Sequence, residues 1–486
     1  MDLTQKKLTK SEWEFLEIPV DKQELKILKL IFNSRENVEI KFNESKSFLE
    51  FIKMDGNLPS LHAYIYNNYF KHIVDSMITK FDLPIKINIP KKLIRLKSAD
   101  AIRIKNLNNK IKKIRDHLYE YILLSSIYNY LKEGPNDKKM FFYYTLIHLL
   151  KNDIKNINKY VIYFIKEILS TNNVQNDYKK LIKNSYEYIE RNTLLIKYCN
   201  VELYKHQKDL FQSMNLNQKS GKLVLYQAPT GTGKTLSPIG IKKKIIFVCA
   251  AKHIGLQLAK SCISLGIPIA IAFGCKDISD IRLHYFAAKE FTKHRRTGQI
   301  FRVDNSVGDK VEIIISDIQS YLYSMRYMMA FNELNDLCWY WDEPTITLDY
   351  ETHEFHEILQ KNWNQNEIPN IILSSATLPK QKDIFPMIRN YKSKFPSGEI
   401  ENIISYNCKK TIPIIDSRGY VAMPHLLFDN FKDIKRSVKF LTENKTILRH
   451  FDVKEISTFI LYCHKKEFLK ERYKMLNYFE KIEDIT

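Results

Sequence analysis

Residues 228–235 read Ala228-Pro229-Thr230-Gly231-Thr232-Gly233-Lys234-Thr235. Closely spaced glycines followed by a lysine and a hydroxyl suit one task, which is holding phosphate. Glycine lets the chain curl so that consecutive N–H groups point inward at an anion. Lys234 would then reach the β- and γ-phosphates, and the Thr235 hydroxyl would coordinate Mg²⁺. The chain has only 13 glycines in 486 residues, and seven of them lie between Gly221 and Gly274. The alternative is a glycine-rich turn that binds nothing. Farther on, the apolar run Leu337-Cys338-Trp339-Tyr340-Trp341 ends in Asp342-Glu343. Asp342 would hold Mg²⁺ through water and Glu343 would polarise an attacking water; taken alone, such a pair also suits a solvated strand end. A third run, Asn370 to Leu373, leads into Ser374-Ser375-Ala376-Thr377. Its small hydroxyls could sense a γ-phosphate, or form a plain turn.

These groups need elements that bring them to one place. Apolar runs of strand length occur near 222–226, 245–250, 268–273, 311–316, 337–341 and 370–374, separated by helical stretches. Strands alternating with helices predict a parallel sheet covered on both faces. A helix starting at Lys234 would add its dipole to the anion site. A polar insertion between Gly274 and Lys310 carries Lys293, Arg295 and Arg296, candidates for phosphate contact or a solvated loop. Residues 1–198 show no nameable chemistry. Apolar residues three and four apart over 101–133, 139–151, 155–169 and 178–198 predict a mostly α-helical N-terminal domain. Its aromatics, such as Phe141, Phe142, Tyr143 and Tyr144, suit a core better than a base-stacking platform.

The order and spacing of the motifs resemble the first RecA-like lobe of a superfamily 2 ATP-dependent helicase (DEAD/DEAH-like). Residues 228–235 match that family's motif I, including its Ala; Asp342-Glu343-Pro344-Thr345 resembles motif II; Ser375-Ala376-Thr377 matches motif III. Gln207 stands where the family reads adenine, and Lys252 and Gln257 resemble the basic and amide positions of motif Ia. The resemblance implies an α/β P-loop NTPase fold over 199–392, preceded by the helical domain 1–198. It implies ATP and Mg²⁺ as cofactors, nucleic acid (RNA or DNA) as partner, and Ser375, Ala376 and Thr377 as the coupling segment. Residues 393–486 are expected to be a linker or a partial second lobe. None of Arg389, Arg418, Arg436, Arg449 or Arg472 stands in the family's paired-arginine motif. That departure leaves a rival reading: a non-catalytic, ATP-responsive nucleic-acid-binding module, or half of a split helicase with a second chain supplying the missing lobe. A small-molecule P-loop kinase accounts for neither Ser-Ala-Thr nor the charge.

Lys and Arg number 76 against 55 Asp and Glu, a formal charge of +21. Such an excess suits a polyanionic partner, although AT-rich coding also enriches Lys. That composition resembles large DNA viruses. The seven cysteines are scattered without zinc spacing, which suits a reducing, cytoplasmic compartment. No segment has the pattern of a signal peptide or membrane span, so no membrane partner is expected.

Overall fold

The computed structural model describes residues 5–54, 58–89, 97–134, 137–171, 178–190, 192–216, 220–293, 300–347, 350–406 and 453–474, with a few isolated positions beyond 430. The chain divides into two compact units, Met1–Lys41 with Glu202–Lys409, and Phe42–Val201 with Lys410–Thr486.

The first unit is α/β. Its strands are β1 (Lys222–Gln227), β2 (Lys244–Cys249), β3 (Ile269–Ala272), β4 (Arg282–Leu283), β5 (Phe291–Lys293), β6 (Ile300–Val303), β7 (Ile313–Asp317), β8 (Leu337–Asp342), β9 (Ile371–Ser375) and β10 (Glu399–Ile404). Eight of them form one sheet in the order β10-β1-β9-β8-β2-β7-β3-β4. All neighbours are parallel except β3 and β4. The separate pair β5–β6 is an antiparallel hairpin. Strands β2, β7, β8 and β9 are continuous apolar runs and are almost wholly buried, as a parallel sheet covered by helices requires. The core centres on Trp339, whose ring stacks on Tyr321 at 4.1 Å and on Trp341 at 4.8 Å.

The helices of this unit are α1 (Lys10–Leu16), α2 (Lys22–Asn33), α3 (Lys205–Asn215), α4 (Lys252–Leu265), α5 (Tyr321–Met329), α6 (Glu354–Gln365) and α7 (Phe385–Lys394). Two boundaries differ from those expected. Residues 5–41 belong to this unit and not to the helical one. Helix α2 explains why: Leu28, Leu30 and Ile31 are buried, and Arg35 just beyond it donates to Ile239 O at 2.8 Å and pairs with Glu312 at 2.9 Å. Strand β10, expected in a linker, pairs with β1 from Glu399↔Lys222 to Ile404↔Gln227. It sits at the sheet edge and buries little, so its apolar signal is short and broken.

The second unit is helical in its described part. The predicted helix over 101–133 breaks into Ser98–Ile114 and Tyr119–Lys132, with a 3₁₀ turn between. Helices Asp137–Leu150 and Lys159–Thr171 follow, but 178–198 is three short pieces. Tyr144 is buried, and Phe141, Phe142 and Tyr143 pack half-buried against the cores. Glu120 lies wholly buried and accepts the N–H groups of Phe48 at 2.9 Å and Asn158 at 3.1 Å. No helix among the described residues is long and apolar enough to cross a membrane.

Candidate functional site at the strand ends

Parallel strands deliver their C-terminal ends to one edge of the sheet, where α/β folds bind ligands. Here β1 ends into the glycine-rich loop, β8 ends at Asp342, and β9 ends at Ser375. Asp342 lies opposite Ser374, and Ser375 lies opposite Gln227, in the sheet register. The three motifs, far apart in sequence, therefore meet.

Gly231 and Gly233 take φ of +79° and +81°, values that disfavour a side chain. A Cβ on Gly233 would also lie 2.9 Å from Gln207 Nε2. Thr232 Oγ1 donates to Pro229 O at 2.7 Å, closing the curl. Lys234 Nζ donates to Ala228 O at 2.7 Å and Pro229 O at 3.2 Å, so its ammonium lies back across the loop. Below it, Tyr340 OH donates to Lys234 O at 2.7 Å. Tyr340 was not singled out from the sequence. Its signal is alternation: it lies two residues before Asp342 on the same strand face.

One expectation for the loop is modified. Lys234–Gly240 forms a seven-residue 3₁₀ run and not the start of an α-helix. Pro238 sits inside it, and a Cβ on Gly240 would meet the Phe211 ring at 2.4 Å. A turn this short carries little dipole, so loop N–H groups and Lys234 are left to supply the positive potential.

The carboxylates are wired to both neighbours. Thr235 Oγ1 donates to Asp342 Oδ2 at 3.4 Å, and Ser374 Oγ donates to Asp342 Oδ1 at 3.2 Å. Glu343 has φ of +52°, left-handed for a non-glycine residue. Such backbones cost on the order of 1–3 kcal/mol and concentrate at functional sites. Its N–H donates to Ser374 O at 2.7 Å, and its Oε2 accepts from Ser375 Oγ at 2.5 Å. Ser375 Oγ also accepts the N–H of Thr377 at 3.2 Å, while Ala228 N donates to Ser375 O at 3.3 Å. Gln227 Nε2 donates to Ala376 O at 3.3 Å. Residues 375–377 thus touch the acid and the loop at once.

Burial sets the electrostatics. It pushes the Asp342 carboxyl up to about 6, with the Glu343 charge adding to the effect. Burial lowers the Lys234 ammonium, opposed by Glu343 and Asp342. His206, bonded to Tyr226 OH at 2.6 Å, is held down at about 4 by burial and by Lys234. It is a neutral prop under the loop.

The remaining candidates have other partners. Gln207 is buried; its Oε1 accepts from Tyr204 N at 3.2 Å and its Nε2 donates to Gly233 O at 3.4 Å. Its amide braces the loop in this structure. Lys252 pairs with Glu12 at 2.8 Å, and Gln257 Nε2 donates to Glu24 at 3.2 Å. Both motif Ia candidates therefore face acids of α1 and α2. Lys293 is exposed on β5; Arg295 and Arg296 lie outside the described residues. No protein-family model matches the chain, and no curated protein shows significant sequence similarity to it.

Proposed function

We propose that this chain is a nucleic-acid-dependent ATPase with a RecA-like core, acting as a helicase or translocase. The observation that carries the reading is the convergence of Thr235, Asp342, Glu343 and Ser375 beside a positive-φ glycine loop, at the ends of adjacent parallel strands.

In this reading the N–H groups of 230–235 cradle the triphosphate. Lys234 exchanges the carbonyls of Ala228 and Pro229 for β- and γ-phosphate oxygens. Those carbonyl bonds keep a buried ammonium solvated by protein until phosphate replaces them. Thr235 and Asp342 suit Mg²⁺, which takes one or two protein oxygens beside substrate phosphates and keeps several waters. Among the described residues no three His, Cys, Asp or Glu side chains cluster to hold a metal by themselves. The metal, when bound, neutralises charge on the phosphates. Glu343 orients the water, and its bond to Ser375 is the means by which its position reaches β9 and the chain beyond. Nucleic acid is the partner that the +21 charge fits best.

Glu343→Gln retains shape while removing the base. It should keep ATP bound and slow turnover by about two to four orders of magnitude, the range of general acid–base catalysis. Steady-state phosphate release, with and without RNA or DNA, measures this. Equal rates in variant and wild type would remove Glu343 from the chemistry. No release under any condition would favour the non-catalytic reading.

A further inference from the structure

A second cleft lies in the same unit and shares no residue with the glycine loop. It encloses about 870 Å³, within the size range of ligand sites. One wall comes from the N-terminal arm and α1; the other comes from β4 and the hairpin β5–β6.

The two walls differ in chemistry. On the strand side stand Arg282, Lys293 and Arg302, one from each of β4, β5 and β6. All three are exposed, and none makes an ion pair among the described residues. Other cations nearby are paired, Lys7 with Asp280 at 2.5 Å and Lys289 with Asp309 at 3.4 Å. Arg282 is also fixed in place: its Nη1 donates to Ser279 O at 2.6 Å and Ile281 O at 3.1 Å. A guanidinium held by its own backbone is preorganised for an anion, because less freedom is lost on binding.

The cleft is not uniformly basic. Trp13 and Tyr285, both half-buried, contribute ring surfaces. The Tyr285 ring lies 4.6 Å from Phe286 and 5.4 Å from Phe291, which limits its freedom to turn. Glu14 and Glu17 lie on the α1 side, where Glu17 meets the buried His284 at 3.0 Å. Lys7 and Lys10 line that side too, and Lys10 Nζ pairs with the exposed Glu14 at 3.9 Å, so the α1 side mixes both signs of charge. The arrangement suits a ligand with an anion at one end, a planar ring in the middle and N–H donors at the far edge.

We infer that this cleft binds a nucleotide unit: phosphate on Arg282, Lys293 and Arg302, base against Trp13, and an exocyclic amino group toward Glu14. An adenine or cytosine nucleotide meets all three demands. The unit could be a free nucleoside monophosphate or one residue of a single strand. The inference deepens the nucleic-acid side of the proposed function and is independent of the ATP site.

The test uses the full chain carrying Lys234→Ala, so that the glycine loop does not contribute. Adenosine monophosphate, a ten-residue deoxyadenosine strand and inorganic phosphate are each titrated, with binding followed by equilibrium dialysis and by tryptophan emission. Saturable binding of the monophosphate or the strand is expected, with quenching that is absent in Trp13→Phe. Binding of the monophosphate identifies a free-nucleotide site, and binding of the strand alone identifies a strand site. Arg282→Glu with Arg302→Glu should weaken binding by about tenfold or more, since charged hydrogen bonds are lost. Both positions are exposed, and circular dichroism checks that the fold persists. Strand binding untouched by the double variant overturns the cleft while leaving the nucleic-acid reading standing. Phosphate binding as tight as the monophosphate overturns the role of the rings. Absence of any binding overturns the cleft and, if the wild type also fails to bind strands, the nucleic-acid reading with it.

Discussion

At the scale of single residues, Thr235 donates to Asp342 and Ser375 donates to Glu343, so each acid is held by a neighbouring hydroxyl. Lys234, Thr235, Asp342 and Glu343 were singled out by motif and spacing, because a phosphate site would demand those types in that order. Tyr340 and His206 were not, because a Tyr in an apolar run or a His before a strand carries no signal until the strands are paired. Gln207 shows the reverse case, since its amide is engaged by Tyr204 N and Gly233 O. Glu120 in the helical unit was also invisible to sequence. Burial pushes its carboxyl up to about 7, outweighing the backbone N–H groups that favour the charged form. Its folded pKa therefore lies above its ordinary value of 4.5. Stability from this group is fully present below that ordinary value and is lost as pH rises through about 7. The loss can reach about 3 kcal/mol at 1.36 kcal/mol per unit. Urea unfolding at pH 5 and pH 8 should show wild type losing stability relative to Glu120→Gln. Parallel pH dependence in the two proteins would contradict a charge-state cost at this position.

At the scale of elements, the buried strands were the most legible, because a parallel strand covered on both faces must be apolar throughout. The edge strand β10 and the hairpin β5–β6 were missed for the complementary reason: they bury little. The arm before α2 was missed because its docking is mostly polar. In residues 5–20 only Leu16 is fully buried. The rest holds by contacts such as Gln5 Nε2 to Ala250 O at 2.8 Å, Glu12 to Lys252 at 2.8 Å and Val20 N to Ser264 Oγ at 3.1 Å. In the proposed function nucleic acid must take Lys252 from Glu12. A partly exposed ion pair contributes up to about 1 kcal/mol, so Glu12→Gln should tighten strand binding by a few-fold. Filter binding with a single-stranded oligonucleotide measures the change. An unchanged or weaker affinity would place Lys252 outside the interface.

At the scale of the whole molecule, the +21 charge follows from composition alone. If it serves phosphate contacts, affinity for nucleic acid falls steeply with salt, by a logarithmic slope of roughly 0.7 to 0.9 per phosphate. Replacing Lys293, Arg295 and Arg296 together should flatten that slope. A slope unchanged by the triple substitution would assign these residues to bulk solvent. The central claim is narrower: that 228–235, Asp342 and Glu343 form one MgATP site. Titration of a fluorescent ATP analogue into wild type and Lys234→Ala, with Mg²⁺ present, tests it most directly. Saturable binding to wild type, with most of the affinity lost in Lys234→Ala, is the predicted result; equal affinity in the two proteins, or no binding to either, would contradict it.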